Sequence, residues 1–151
     1  MNKKGLANRV RNELKISFPS LSINEGIARS AVSAFAAQLN PTIDELADIK
    51  CAVSEAVTNC IVHAYRDQIG VIWLNLRICD EHCLRIEVKD KGCGIADVSA
   101  AREPLYTTDP EGERSGMGFA VMESFTDRMR VRSSVGGGTI VTLYKCINGR
   151  G

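Results

Sequence analysis

Residues 54–63 read Ser-Glu-Ala-Val-Thr-Asn-Cys-Ile-Val-His and lie inside a helical pattern that runs from Thr42 to about Tyr65. Apolar residues recur through this segment at three- and four-residue steps and define one apolar stripe: Ile43, Leu46, Ile49, Val53, Val57, Cys60 and Ile61. Glu55, Asn59 and His63 recur at steps of four, so they stack on a second face. A carboxylate one turn from a carboxamide offers the oxygen ligands that Mg²⁺ prefers, and the carboxylate can also accept a proton. Taken alone, such a pair is more often a solvated helix face.

The composition is that of an ordinary globular protein and argues against several classes. The 151 residues are enough for one domain with its own core. The net charge of +1 gives no reason to expect nucleic acid as a direct partner. No apolar run approaches the roughly 18 residues that a membrane span needs, and no apolar segment follows the basic N-terminus as in a secretory leader. We therefore expect a cytoplasmic protein without a membrane partner.

Periodicity and capping signals predict a single domain over residues 14–146, between flexible segments at 1–13 and 147–151. Alternation predicts strands at 14–18, 71–78, 84–88, 129–133 and 139–144. Capping boxes at 22–25 and 42–45 predict the starts of two helices. Residues from about 97 to 116 favour a long loop with a short helix at 98–102, and helical spacing returns at 117–126. This order predicts an α+β fold, a two-layer sandwich in which helices cover one face of a mixed, mainly antiparallel sheet.

The helix that follows Ser22 has a stripe of apolar residues that should face the core: Ile27, Ala31, Ala34, Phe35 and Leu39. Arg29 and Ser33 then face outward.

Six cysteines are scattered along the chain and do not form the pattern of a disulfide framework. A domain of this length needs no disulfide, so reduced and partly buried thiols are predicted. The segment from Cys79 to Cys83, which contains His82, could suggest a metal cluster. It lacks a second ligand pair at zinc-site spacing, however, and it falls where a hairpin turn is expected.

Two glycine-rich segments follow the long helix. Asp90-Lys91-Gly92-Cys93-Gly94 places an acid at a strand end before two glycines, which let the backbone approach a ligand while the carboxylate accepts from an exocyclic amine. Arg114-Ser115-Gly116-Met117-Gly118 places glycines at a helix start, where backbone N–H groups and the helix dipole favour phosphate. The segment 136–139, Gly-Gly-Gly-Thr, is typical of a hairpin turn. Each segment alone is also compatible with an ordinary turn or helix start.

The order of these segments is more specific than any one of them. The order resembles that of the ATP-binding fold shared by gyrase B, Hsp90, histidine kinases and MutL. It consists of Glu-x-x-x-Asn on a helix, Asp-x-Gly-x-Gly at a strand end, a lid, Gly-x-Gly at a helix start and a final Gly-Thr. Residues 41–65, 90–95 and 104–119 resemble the bacterial anti-sigma serine kinases, and the sporulation branch more than the stress-response anti-sigma B branch. The resemblance covers about residues 14–144, and the basic segment before it is longer than this family leads us to expect.

The resemblance implies roles for particular residues. Asn59 would ligate a Mg²⁺ ion that bridges the ATP phosphates, and Glu55 would be the general base toward a substrate serine. Asp90 would accept from the adenine amino group, with Thr139 supporting that contact. The glycines Gly92 and Gly94 would give the base room. The β- and γ-phosphates would be held by residues of the second glycine segment: Arg114, Ser115, Gly116 and Gly118.

The resemblance also implies partners. These are a sporulation sigma factor of the sigma F type, held inactive, an anti-anti-sigma protein phosphorylated on serine, and a second copy of the chain in a homodimer. Arg29 is a candidate partner contact, although a solvated arginine is at least as common at such a position. The alternatives are a nucleotide-gated sigma-binding protein without significant transfer and an anti-sigma B-type kinase. A sensor kinase would need a phospho-accepting histidine on a dimerisation helix, and neither His63 nor His82 lies in a separate helical hairpin.

Overall fold

The computed structural model describes residues 9–79, 82–103 and 118–148. The elements in these ranges are β1 (Val10–Pro19), α1 (Asn24–Ala36), α2 (Ile43–Asn59), β2 (Val71–Cys79), β3 (Cys83–Asp90), α3 (Val98–Ala101), α4 (Gly118–Ser124), β4 (Arg128–Ser134) and β5 (Gly138–Cys146). One 3₁₀ turn (Ala37–Leu39) extends α1, and one π-helical turn (Cys60–Ala64) extends α2. None of the helices in the described ranges is long and apolar enough to cross a membrane.

The five strands form one sheet in the order β1-β2-β3-β5-β4, and each pairing is antiparallel. Alternate residues of β2 and β3 are buried, which is the period-two pattern of a sheet with one covered face. The helices α1 and α2 pack on that face, and their side chains join those of the strands in one core. The predicted two-layer α+β sandwich is confirmed, but the sheet, predicted to be mixed, is antiparallel at all four described pairings.

The start of α2 follows the prediction. Thr42 Oγ1 accepts from the Glu45 N–H at 3.1 Å, and Glu45 Oε1 accepts from the Thr42 N–H at 2.9 Å, so the capping box is complete. The box predicted at Ser22 is wrong, because α1 begins at Asn24 without a side-chain cap. Glu25, its predicted acidic partner, instead accepts from Ser54 Oγ on α2 and pairs with Arg29 at 3.1 Å.

The core-facing stripe of α1 is also displaced from the predicted one. Ile27 is 58% exposed, and the buried side chains are Ala28, Val32, Phe35 and Ala36. Small apolar residues occupy both sides of this helix, so the periodicity fits two rotations about its axis. Contact with α2 and the sheet selects one of them. Ser33, predicted to face outward, is only partly exposed, and its Oγ is buried.

Both ends of the domain extend further than predicted. Strand β1 begins at Val10, so residues 10–13 of the predicted flexible segment pair with β2. Ile147 is 6% exposed in the core, and its N–H donates to the His82 carbonyl at 2.9 Å, so packing contacts continue past residue 146. All four of residues 10–13 are exposed, so burial does not impose an alternation of apolar and polar residues on this part of the strand.

The prediction that all cysteines are reduced is wrong for one pair. Cys83 and Cys146 form a disulfide between β3 and β5, whereas Cys51, Cys60, Cys79 and Cys93 are free. The two bonded residues are 63 positions apart in the sequence but directly opposite in the sheet register. Only the strand order brings them together. Within the described ranges, no group of three or more His, Cys, Asp or Glu side chains is arranged to hold a metal ion.

Candidate functional site

Glu55 and Asn59 lie one turn apart near the end of α2, and the start of α4 faces them both. A Cβ atom added to Gly118 would lie 3.0 Å from Asn59 Oδ1 and 3.4 Å from Glu55 Oε2. Any side chain at this position would therefore press on the two polar groups. The absence of one leaves a small space bounded by a carboxylate, a carboxamide and the beginning of a helix. This is a donor set of oxygen atoms that suits Mg²⁺.

The π-helical turn begins directly after Asn59. Its backbone bond runs from the Tyr65 N–H to the Cys60 carbonyl at 3.0 Å, a five-residue step instead of four. The helix predicted to reach about Tyr65 is thus present, but its last turn is wider. The four-residue spacing of Glu55 and Asn59 stays within regular helix, whereas His63 lies beyond it and does not share their alignment.

Asp90 ends β3 and is 4% exposed. Its Oδ1 accepts from the Gly92 N–H at 2.9 Å and the Thr139 N–H at 3.2 Å, and its Oδ2 is 3.5 Å from the Cys60 thiol, which donates to it. Burial raises the pKa of the Asp90 carboxyl, while these three donors oppose the shift. Burial raises the pKa of the Cys60 thiol well above its usual range, so Cys60 stays protonated as a donor.

The glycines after Asp90 let this loop pack closely against other backbone. A Cβ on Gly92 would overlap the Ala64 carbonyl, and Gly94 has φ +77° and lies against the Ser134 carbonyl. The Cys93 N–H donates to the Ala64 carbonyl at 3.1 Å, and the Cys93 carbonyl accepts from the Gly136 N–H at 2.8 Å. The loop is therefore held between the end of α2 and the β4–β5 turn.

Tyr65 and Ser133 support the same loop and were not predicted from the sequence. The Tyr65 hydroxyl accepts from the Lys91 N–H at 2.6 Å and donates to the Val71 carbonyl at 2.7 Å. Ser133 Oγ accepts from the Ile95 N–H at 2.8 Å and lies 2.8 Å from Thr139 Oγ1. No local pattern marks these residues, because their partners are distant in the chain. Cys60, which adjoins Asn59 in the sequence, was assigned only to the apolar stripe.

Four of the predicted site residues lie near the end of α2. Asn59 is followed by Cys60, Cys60 contacts Asp90, and Asp90 contacts Thr139, so Glu55, Asn59, Asp90 and Thr139 border one region at the end of α2. Gly118 closes it on the α4 side. Three other predicted residues, Arg114, Ser115 and Gly116, lie outside the described residues.

Arg29 lies apart from this region, on the outer side of α1, with 44% of its side chain exposed. Its guanidinium pairs with Glu25, and Glu25 accepts from Ser54, the residue before Glu55. An exposed arginine is therefore tied through one carboxylate to the helix that carries Glu55.

Comparison with known proteins shows the family of this chain. The histidine kinase-like ATPase domain family matches residues 18–145. An anti-sigma F factor of Caldanaerobacter subterraneus subsp. tengcongensis is 54% identical over 136 residues, which cover 90% of this chain and 94% of that protein. The chain belongs to the anti-sigma F factor family. Another anti-sigma F factor, from a Geobacillus strain, is 50% identical over 139 residues that cover 91% of this chain and 94% of that protein.

Solved structures similar to this family member share its fold. The RsbU and RsbW domains of a Mycobacterium tuberculosis protein superpose with a TM-score of 0.67 at 21% identity, over 90% of this chain and 32% of that one. The histidine kinase domain of a blue-light activated kinase from Erythrobacter litoralis gives a TM-score of 0.54 at 23% identity, over 95% of this chain and 72% of that one. The ATPase-type fold of this anti-sigma F factor family member is therefore seen in experimental structures.

Proposed function

We propose that this protein binds and inhibits a sporulation sigma factor of the sigma F type and, as an ATP- and Mg²⁺-dependent serine protein kinase, phosphorylates and inactivates an anti-anti-sigma protein. The observation that carries the kinase assignment is the position of Gly118 against both Glu55 and Asn59. A proton acceptor and an oxygen ligand converge at a helix start, where N–H groups favour phosphate. The names of the similar anti-sigma F factors support the sigma factor as a partner.

The acceptor for adenine in this proposal is Asp90. Its Oδ1 already receives two backbone N–H groups, so Oδ2 has the remaining capacity to accept from the exocyclic amine. The Cys60 thiol is a weak donor and leaves that capacity largely available. Thr139 positions Oδ1 through its N–H, and Gly92 and the Tyr65 hydroxyl hold the loop beside it.

The phosphate end of the nucleotide lies at Glu55 and Asn59 in this proposal. A bound Mg²⁺ would neutralise charge on the phosphates, and the Asn59 carboxamide oxygen would be its protein ligand. Glu55 would accept the proton of the substrate serine hydroxyl. Gly118 would leave room for the phosphoryl group beside them, and Arg114, Ser115 and Gly116 would add donors to the β- and γ-phosphates. Transfer of this kind depends mainly on positioning and charge neutralisation.

Arg29 is exposed and tied to Glu25, so it would contact a protein partner without disturbing the core. We expect a cytoplasmic homodimer.

Labelled ATP, Mg²⁺ and the cognate anti-anti-sigma protein test the kinase assignment. Phosphoserine should form with the unchanged protein and be lost in Glu55→Ala and Glu55→Gln, whereas Glu87→Gln on the helix-free sheet face should retain it. Nucleotide binding by Glu55→Gln should persist, because that variant keeps the shape of the site. Binding of ATP without transfer by the unchanged protein would instead indicate a nucleotide-gated sigma antagonist, the second candidate.

A further inference from the structure

Three cysteines lie in one row across three neighbouring strands. The row is at the first residue of β3, Cys83, whereas Asp90 is the last residue of that strand. Cys79 of β2 is directly opposite Cys83 of β3, and Cys83 is directly opposite Cys146 of β5. Directly opposed residues of antiparallel strands point to the same face, with Cβ atoms about 4.5–5.5 Å apart. The three sulfur atoms therefore follow one another across the sheet, with Cys83 in the middle.

The row lies on the face of the sheet that the helices do not cover. Leu84, the residue after Cys83, is fully buried on the helix side, and alternation places Cys83 on the other side, where it is partly exposed. Cys146 is exposed, so the disulfide can be reached from solvent. Cys79 is free and partly exposed, and it borders an open cavity together with His82.

This arrangement matches the needs of thiol–disulfide exchange. In that reaction a thiolate attacks one sulfur of a disulfide, opposite the sulfur that leaves, and a new disulfide replaces the old one. Cys79 lies on one side of Cys83, and Cys146, the leaving sulfur, lies on the other. The residues that carry the attacking and leaving sulfurs thus flank Cys83 on its two neighbouring strands.

We propose that Cys79, Cys83 and Cys146 form a thiol–disulfide exchange centre. The Cys79 thiol loses its proton to solvent, and its thiolate forms a bond to Cys83 Sγ. The bond between Cys83 and Cys146 breaks, its electron pair remains on Cys146 Sγ, and that sulfur takes up a proton. One disulfide and one thiol are present before and after, so no oxidant or reductant is consumed.

Exchange moves the covalent link from the β3–β5 pair to the β2–β3 hairpin. The first link joins residues 63 positions apart, while the second closes a hairpin turn. Cross-links over longer loops restrict the unfolded chain more. After exchange, the end of β5 is held by non-covalent contacts alone, among them the Asn148 N–H to Glu45 Oε2 bond at 2.9 Å. Glu45 also caps α2, the helix that carries Glu55 and Asn59. The position of the disulfide is therefore connected to this helix through Glu45.

Tryptic peptides distinguish the two link states. Cleavage after Arg77, Arg85, Lys145 and Arg150 places Cys79 and Cys83 together in peptide 78–85 and Cys146 in peptide 146–150. The full-length protein is first equilibrated with oxidised glutathione, freed of it, and then incubated with N-ethylmaleimide over a time course at pH 8. N-ethylmaleimide alkylates whichever thiol is free. In molecules that exchange before it alkylates Cys79, it alkylates Cys146 instead, and peptide 78–85 contains an internal disulfide. We expect this product to accumulate to a measurable fraction.

Cys79→Ser is the matched control, because it removes only the attacking sulfur and keeps Cys51, Cys60 and Cys93. Its two peptides should stay cross-linked and its Cys146 unlabelled. A second variant, Cys146→Ser, should form the Cys79–Cys83 disulfide when treated with oxidised glutathione, with release of two reduced glutathiones. The proposal is overturned if Cys146 stays unlabelled in the unchanged protein, if Cys79→Ser releases Cys146 equally fast, or if no disulfide forms among the three cysteines.

Discussion

The Cys60 thiol donates to Asp90 Oδ2 across 3.5 Å, which joins the end of α2 to the end of β3. This contact connects the residue after Asn59 with the proposed adenine acceptor. Both partners are almost fully buried, and the contact is one of the forces that oppose the raised pKa of Asp90. The side chain at position 60 therefore adjusts the acidity of a carboxyl group that the proposed function needs in its charged form.

Replacing Cys60 with Ala should raise the pKa of Asp90 further, because a donor to the carboxylate is lost. The midpoint at which nucleotide binding is lost on acidification should move to higher pH. Stability should fall by about 1 kcal/mol, as is common for a small deletion in a core. Titration of nucleotide affinity with pH measures the first effect and thermal unfolding the second. Cys60→Ser, which keeps a hydroxyl donor, should restore the midpoint, and an unshifted midpoint in Cys60→Ala would show that the thiol does not act on Asp90.

Nucleotide binding by the unchanged protein should weaken as pH falls through the raised pKa of Asp90, since a protonated carboxyl loses acceptor capacity for an amine. The folded pKa lies above the unfolded value, so the folded state holds this proton more tightly. The contribution of Asp90 to stability therefore falls as pH rises through the same window. Calorimetric binding across acidic pH measures the midpoint. Asp90→Asn should bind at least about tenfold more weakly, as expected for a lost charged acceptor, and should not show this pH dependence. A midpoint at the ordinary Asp value would show that burial does not raise this pKa, and full binding by Asp90→Asn would contradict the assignment.

Gly118→Ala should impair phosphoryl transfer with little change in stability. The added methyl group would press on Asn59 Oδ1 and Glu55 Oε2, which are the ends of side chains that can move, so the fold should adapt while the site is displaced. We expect at least a tenfold loss of kcat/KM, or about 1.4 kcal/mol. Gly26→Ala is the matched control, because it lies in the first turn of α1 and its Cβ would meet only Arg29 Nη2, at 3.8 Å. Full activity in Gly118→Ala would mean that the space beside Glu55 and Asn59 is not used.

Thr42→Ala should destabilise the protein by about 1 kcal/mol, the usual value for a lost helix cap. Thr42 Oγ1 caps the Glu45 N–H at the start of α2, so its loss leaves that donor without its side-chain partner. Chemical denaturation with an unchanged m-value measures the difference. Ser22→Ala should have almost no effect, because α1 begins at Asn24 without a side-chain cap. Equal losses in the two variants would show that Ser22 caps α1 in solution.

Local patterns were sufficient for the parts of this fold that depend on neighbours in the chain. The Thr42 capping box, the strand alternation and the strand-end position of Asp90 involve residues within a few positions of one another, so the sequence alone predicted them. The α+β order followed from the same signals. The motifs at Glu55, Asn59, Asp90 and Gly118 were found by their order along the chain.

Only the tertiary structure decided how distant segments meet. It places Gly118 against Asn59, Cys60 against Asp90 and Cys83 opposite Cys146, because α2, α4 and the strand order β2-β3-β5 bring these positions together. The tertiary structure also determines which side of α1 faces the core. Small apolar residues on both sides of this helix had left the periodicity ambiguous. Periodicity reflects interactions between residues a few positions apart in the sequence. Cys60 and Asp90, by contrast, are 30 positions apart, and Cys83 and Cys146 are 63 positions apart. The elements of this protein thus follow from its sequence, and the contacts around its site follow from their packing.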